Sequence, residues 1–152
     1  MAQLSAALLA RRWTMAAAES CTGGWIAKVC TDRAGSSDWF ERGFVTYSNA
    51  AKRELLGVDG ATLDRAGAVS EAVARGMAEG ALGNSPADVA VAVTGIAGPA
   101  GGVPGKPVGT VWFGWAIAGG GTWVERCRFD GDREAVRRQT VRHALQGLLD
   151  RL

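Results

Sequence analysis

The chain has 152 residues, of which 47% are hydrophobic and 21% are charged, which is the composition of a folded globular protein rather than a disordered one. A chain of this length forms one domain with a sizeable core. The formal net charge of +2 is too small to indicate nucleic acid or a membrane surface as the main partner.

The first half of the chain predicts a short amphipathic helix followed by two strand–helix units. The sequence TMAAAE reads as a short buried strand, and CTGGWIAKVCT reads as a helix entered from Ser20. The segment 40–48, FERGFVTYS, has the composition of a strand. Ser48 is a suitable N-cap for the next helix, NAAKRELLG, which Gly57 ends.

The second half predicts a helix, three strands and a closing helix. Ser70 is a suitable N-cap for the helix EAVARGMAEGALG, and the β-branched run DVAVAVTG is typical of a strand covered on both faces. The segments VGTVWFGWAIA and TWVERCRF flank the glycines 119–121 and predict an antiparallel hairpin. From Asp132 to Leu152, apolar residues recur at helical spacing and predict an amphipathic helix.

This alternation of strands and helices predicts a single α/β domain covering residues 1–152. We expect a three-layer α/β/α sandwich with a mixed, mostly parallel sheet of about five strands. The segment 95–107 is rich in glycine and proline, which excludes regular structure and makes it a candidate binding loop.

The sequence ESCTGG, residues 19–24, places a carboxylate, two hydroxyls and a thiol where a strand runs into a helix. Open α/β folds bind ligands at this edge of the sheet, and the free N–H groups of a first helical turn stabilise a phosphate or an oxyanion. The two glycines leave room for a substrate beside Ser20. The alternative is that Ser20 or Thr22 only caps the helix.

A nucleophilic serine needs a base, and the single histidine, His143, lies in the last helix. No G-x-S-x-G sequence occurs, so a Ser–His–Asp triad is not expected. A lysine serves instead if burial lowers its pKa. The candidates are Lys28, Lys52 and Lys106; Lys52 follows a strand end, although considered alone it reads as a solvated helix residue.

Cofactor and metal motifs are absent from the sequence. A Walker sequence would need glycine in place of Ala100 and serine or threonine in place of Pro107. Three cysteines without a C-x-x-C pair argue against a disulfide framework and a zinc site. We therefore expect an active site without metal or cofactor, assembled from serine, lysine, Thr94, backbone amides and an arginine.

Six motifs in chain order resemble the C-terminal domain of the CinA, or competence-damage-inducible, family: AESCTGGW, FERGFVTYSNAAK, GAVSEAV, VTGIAGP, KPVGTVWFG and GDREAVRRQT. The resemblance covers nearly the whole chain and is closest to the stand-alone bacterial members, which are nicotinamide-nucleotide amidohydrolases. It implies hydrolysis of nicotinamide mononucleotide to nicotinate mononucleotide and ammonia by a Ser–Lys pair without a metal, in NAD recycling. The chain lacks the separate N-terminal domain of longer members, so no pyrophosphatase activity is inferred.

The resemblance also implies roles for individual residues. Ser20 is the nucleophile, Lys52 is the general base, and Tyr47 shapes or hydrogen-bonds the site. Arg133 is expected to bind the nucleotide phosphate, with Arg137 as a second candidate one helical turn later. The complete set of substrate-binding residues is Thr22, Gly23, Thr94, Gly95, Arg133 and Arg137. Members often carry an acidic residue where this chain has Ala100.

The residues around Ser20 allow more than one role and more than one function. Glu19 either orients Lys52 or satisfies backbone donors, and the second role is favoured. Two alternative functions are a non-catalytic nucleotide-binding or competence-related interaction module and an amidohydrolase for another substrate that uses Cys21. The partner is expected to be a small-molecule nucleotide. No apolar run reaches the ~18 residues of a membrane span and no signal-peptide pattern occurs, which favours a cytoplasmic location. Six tryptophans are enough to supply an apolar interface, so a homo-oligomer, a dimer or higher, is expected.

Overall fold

The computed structural model describes residues 1–152. The helices are α1 (Ala2–Arg11), α2 (Trp25–Thr31), α3 (Asn49–Leu56), α4 (Gly60–Ala66), α5 (Glu71–Gly83) and α6 (Arg133–Leu149). The strands are β1 (Met15–Glu19), β2 (Phe40–Val45), β3 (Val89–Gly95), β4 (Thr110–Ile117) and β5 (Thr122–Arg128), and a short 3₁₀ helix covers Ser36–Asp38. None of the helices combines the length and apolarity that crossing a membrane requires.

The strands form one sheet in the order β2-β1-β3-β4-β5. β1 pairs in parallel with β2 and β3, whereas β3–β4 and β4–β5 are antiparallel. The predicted single α/β domain with a mixed five-stranded sheet is confirmed, but the prediction that the sheet is mostly parallel is wrong. A parallel connection needs a crossover, usually a helix. The segment between β3 and β4 contains no helix, so β4 returns antiparallel beside β3.

Alternation of side-chain size along the central strands explains the two cores. In β3 the valines 89, 91 and 93 face a cluster that includes Leu8 and Leu148, whereas the alanines 90 and 92 face a cluster that includes Met77. Successive strand residues point to opposite faces, so each face receives one residue type. Helices α1, α2 and α6 contribute residues to the first cluster, and α3, α4 and α5 contribute to the second.

On the face of the sheet that carries the alanines of β3, the backbones of neighbouring elements come into direct contact. A Cβ added at Gly114 in β4 would lie 2.5 Å from the Ala74 carbonyl oxygen of α5. A Cβ added at Gly80 in α5 would lie 2.0 Å from the Leu56 carbonyl oxygen at the end of α3. Both distances are too short for any side chain, so β4, α5 and α3 are stacked with only glycine at each contact.

Three of the predicted helix boundaries are confirmed and one is wrong. The Ser48 hydroxyl accepts a hydrogen bond from Ala51 N at 3.0 Å, and Gly57 ends α3 with a φ of 66°. Ser70 caps α5 as predicted. The helix expected from Ser20 instead begins at Trp25, because Gly23 and Gly24 have positive φ and residues 21–24 form turns.

Candidate active site

The ends of the three parallel strands bring Ser20 and Lys52 together. Ser20 directly follows β1, and Lys52 lies in the first turn of α3, which starts shortly after β2. The Lys52 Nζ atom lies 3.0 Å from Ser20 Oγ, 2.8 Å from the Thr46 carbonyl oxygen and 3.3 Å from the Tyr47 carbonyl oxygen. Only 1% of Lys52 is exposed. None of the ion pairs in the structure involves this lysine.

The surroundings of Lys52 suit a proton acceptor. Burial lowers the pKa of Lys52 from its usual value, since removing the amine from water disfavours its charged form. A neutral amine has two N–H donors and one lone pair. When the carbonyl oxygens of Thr46 and Tyr47 accept the two donors, the lone pair is left for the hydroxyl proton of Ser20.

The buried Glu19 side chain holds the segment after Ser20. Its Oε2 atom accepts hydrogen bonds from Thr22 Oγ1 at 2.6 Å and from the backbone N–H groups of Gly24 and Ile26 at 3.1 and 2.9 Å. Its Oε1 atom accepts from Ala27 N at 2.8 Å. The favoured prediction that Glu19 satisfies backbone donors is confirmed. The amides of Ile26 and Ala27 in the first turn of α2 are thereby occupied, so the free amides closest to Ser20 are those of the turn that precedes α2.

Two other backbone amides next to Ser20 have no acceptor within the protein, those of Cys21 and Thr22. In each of these two peptide units, however, the carbonyl oxygen accepts a hydrogen bond. Ser20 O accepts from Gly23 N at 3.2 Å, and Cys21 O accepts from Arg137 Nε at 3.1 Å. The C=O and N–H bonds of a trans peptide point in opposite directions, so these contacts fix the orientation of both amides. They form a pair of preoriented donors beside the serine.

A cavity of about 240 Å³ opens at this point. Six of the residues predicted from the sequence line it: Ser20, Tyr47, Lys52, Thr94, Gly95 and Arg133. The Thr94 hydroxyl donates to the Ala68 carbonyl oxygen at 2.8 Å, which ties the end of β3 to the segment before α5. The remaining lining residues are Cys21, Ala68, Val69 and Ala97. Sequence reasoning missed the three apolar ones, which carry no chemical signal, although Ala68 and Val69 lie in the quoted motif GAVSEAV.

Tyr47 and Arg133 lie together at the mouth of the cavity. Arg133 is the first residue of α6, and its Nη1 atom donates to Gly98 O at 2.9 Å. Its Nη2 atom lies 3.4 Å from the Tyr47 hydroxyl. Tyr47 is 63% exposed, and only its backbone carbonyl contacts Lys52. The Tyr47 side chain therefore contacts Arg133 rather than the serine–lysine pair.

Three of the predicted substrate-binding residues, Thr22, Gly23 and Arg137, lie outside this cavity. Together with Trp25 they line a separate, shallower depression. The Arg137 guanidinium donates to the carbonyl oxygens of Cys21 and Thr22, the latter at 2.8 Å, and lies 5.2 Å from the centre of the Trp25 ring. Arg137 thus braces the backbone that follows Ser20.

The alternative nucleophile and the alternative bases considered from the sequence are protonated or lie away from Ser20. Burial raises the pKa of the Cys21 thiol to about 12, so it is protonated at neutral pH. Lys28 pairs with Asp32 on the surface at 2.6 Å, and Lys106 donates to a backbone carbonyl of α4. His143 lies near Glu125 and is absent from the cavity lining. Lys52 is the only one of the candidate bases in contact with Ser20.

Comparisons with known proteins identify the family to which the chain belongs. Residues 1–152 match the profile of the family described as the CinA C-terminal domain. The chain is 60% identical to the nicotinamide-nucleotide amidohydrolase PncC of Escherichia coli (strain K12) over 146 residues, covering 96% of this chain and 88% of the relative. It is 59% identical to the protein of the same name from Enterobacter agglomerans over 147 residues, covering 97% and 90% of the two chains.

Solved structures share the fold. The crystal structure of the competence damage-inducible protein A (ComA) from Klebsiella pneumoniae superposes with a TM-score of 0.94 at 44% identity, covering 98% of this chain and 92% of the other. The competence/damage inducible protein CihA from Agrobacterium tumefaciens gives a TM-score of 0.92 at 46% identity, covering 97% and 93%. The likeness therefore extends over essentially the entire domain.

Proposed function

The chain belongs to the CinA C-terminal domain family, and on this basis we propose that it is a nicotinamide-nucleotide amidohydrolase that deamidates nicotinamide mononucleotide. Relatives that carry this activity in their names are about 60% identical over nearly the whole chain. The observation that carries the mechanism is the buried Lys52 amine 3.0 Å from Ser20 Oγ. The reaction converts the carboxamide to a carboxylate and releases ammonia, a step in recycling pyridine nucleotides.

In the first half of the reaction, Ser20 attacks the amide carbon. An amide is a poor electrophile, so the serine needs a base and the developing oxyanion needs donors. Neutral Lys52 accepts the Ser20 proton as Oγ bonds to the carbonyl carbon. The electron pair of the carbonyl moves to its oxygen, where the N–H groups of Cys21 and Thr22 stabilise the negative charge.

The second half regenerates the enzyme. The Lys52 ammonium gives its proton to the amide nitrogen as the C–N bond breaks, and ammonia leaves an ester on Ser20. Lys52, neutral again, takes a proton from water as the water oxygen attacks the ester carbon. The C–Oγ bond then breaks, Ser20 regains its proton from Lys52, and nicotinate mononucleotide leaves.

Arg133 anchors the 5′-phosphate in this proposal. Its guanidinium has five N–H donors, of which Gly98 and Tyr47 engage two, and it lies at the mouth of the cavity. Hydrogen bonds from a guanidinium to a phosphate are charge-assisted and strong. Phosphate bound there orients the nicotinamide ring towards Ser20.

Release of ammonia from nicotinamide mononucleotide, the riboside and free nicotinamide tests this function. We expect the mononucleotide to react far faster than the other two, because phosphate binding energy positions the amide. Equal rates on all three would contradict the phosphate anchor. Absence of ammonia from every pyridine nucleotide, combined with nucleotide binding, would support the alternative of a non-catalytic binding module.

Two further points stay predictions. The homo-oligomer is consistent with exposed apolar side chains on both edge strands, Val45 on β2 and Trp123 on β5. Light scattering of the purified protein measures the oligomeric state directly. The cytoplasmic location rests on the sequence pattern alone.

A further inference from the structure

A second cluster of reactive side chains lies away from the cavity. It consists of Glu125 and Cys127 on β5 and His143 on α6, whose potential ligand atoms all lie within 4.8 Å of one another. His143 Nε2 lies 3.3 Å from Glu125 Oε1, and Cys127 Sγ lies 3.5 Å from each of these two atoms. None of the three residues lines the Ser20 cavity.

The fold holds these side chains in place. Glu125 and Cys127 are two residues apart on a strand and so point to the same face of the sheet. The His143 ring packs edge-on against Phe113, with centroids 4.6 Å apart, and against Phe129, with centroids 6.1 Å apart. These aromatic contacts hold the imidazole with its Nε2 atom towards the strand. The Glu125 and His143 side chains keep partial exposure, which leaves one side of the cluster open to solvent.

The spacing of the donor atoms matches one face of a zinc tetrahedron. Zinc binds imidazole nitrogen and carboxylate oxygen at about 2.0–2.2 Å and thiolate sulfur at about 2.3 Å. At tetrahedral angles, these bond lengths separate nitrogen from oxygen by about 3.3–3.5 Å and sulfur from either by about 3.5–3.7 Å. The three distances in the structure agree with these values.

We propose that Glu125, Cys127 and His143 bind one Zn²⁺ ion, with solvent in the fourth position. Imidazole and thiolate donors select zinc over magnesium or calcium, which prefer oxygen ligands. The ion joins the edge strand β5 to helix α6, so its role is to stabilise that contact. His143 lies ten residues after Arg133, about 15 Å along α6, and no step of the reaction at Ser20 uses the metal.

The test uses the full chain without an affinity tag, exposed to zinc or cobalt chloride and then dialysed. We expect one zinc per chain, a raised unfolding temperature, and a sulfur-to-metal charge-transfer band in the cobalt form. Glu125→Gln, Cys127→Ser and His143→Gln should each weaken zinc binding by at least about tenfold, since even loss of outer-shell partners costs that much. Glu79→Gln makes the same charge change at an exposed position on α5 and should keep wild-type affinity.

The outcomes separate a built site from incidental binding. Cobalt binding without the sulfur band, or equal zinc affinity in wild type, Cys127→Ser and His143→Gln, would overturn the proposal. Failure of the wild type to retain zinc after dialysis would do the same. Circular dichroism and the metal-free unfolding temperature identify any variant that fails to fold. If one of the three ligand variants does so, the zinc affinities of the other two test the proposal. EDTA should lower the unfolding temperature to the metal-free value while ammonia release continues, which keeps this test independent of the proposed activity.

Discussion

The Glu19→Gln substitution tests whether the buried carboxyl group determines the geometry around the nucleophile. The new amide has one oxygen and one NH₂ group in place of two acceptors. Its oxygen should occupy the position of Oε2, which accepts three hydrogen bonds, leaving the NH₂ group facing Ala27 N. Two buried donors then face each other without an acceptor.

The cost follows from those two donors. An unsatisfied buried donor costs about 1–3 kcal/mol, so the free energy of unfolding should fall by about 2–6 kcal/mol. That is a large part of the ~5–15 kcal/mol typical of a whole domain. The turn that carries the Cys21 and Thr22 amides should shift, and a displacement of about 1 Å near the reacting atoms costs about 10²-fold in rate. We expect kcat to fall by that factor with little change in KM.

Urea unfolding and steady-state ammonia release measure the two effects. Thr22→Val is a graded comparison, because it removes one donor to Glu19 but keeps the shape, and should cost about 1 kcal/mol. Glu79→Gln, at an exposed position, should stay within about 0.5 kcal/mol of wild type. A Glu19→Gln protein with wild-type stability and kcat would refute the role assigned to this network.

Three further predictions concern the catalytic and substrate-binding residues. Activity should rise with pH, because Lys52 must be neutral to accept a proton and burial places its pKa below the usual value. The Lys52→Arg variant, whose arginine cannot release its proton, should be as inactive as Lys52→Ala in ammonia release. The Ser20→Ala variant should lose turnover but still bind substrate in calorimetry. The Cys21→Ala variant should keep most of its activity, because the Cys21 thiol of the wild type is protonated at neutral pH. The reverse pattern would identify a thiol enzyme. The Arg133→Ala variant should have a raised KM for the mononucleotide but not for the riboside, whereas the Arg137→Ala variant should have a lowered kcat. If only the Arg137→Ala variant has a raised KM for the mononucleotide, the two roles are exchanged.

Local signals explain the parts of the fold that could be predicted from the sequence. The caps at Ser48 and Ser70 and the buried strand before Ser20 depend on adjacent residues, and the structure contains all three. The predicted start of α2 is wrong because the Glu19 carboxylate accepts from the amides of Gly24, Ile26 and Ala27 and holds the turn before the helix, contacts that no periodicity reveals. The direction of β4 depends on what pairs with β3, which is a property of the whole sheet.

The site was less accessible to residue patterns than the fold. Ser20 and Lys52 are 32 positions apart and meet because β1 and β2 pair in parallel, so the family resemblance identified the pair where spacing could not. Arg133 and Arg137 are one helical turn apart and look equivalent in the sequence. Only their tertiary partners differ, since one reaches the cavity mouth and the other the backbone after Ser20.

The glycine contacts between layers have a mechanical consequence. At Gly114 and Gly80 the backbones of neighbouring elements are in direct contact, so the spacing between the layers cannot decrease at these two points. This stack limits how closely α3 approaches the sheet, and from that position Lys52 reaches Ser20 with its amine also held by the carbonyl oxygens of Thr46 and Tyr47. We therefore expect a methyl group added at either glycine to push these elements apart and to change the distance between Lys52 and Ser20 from outside the cavity.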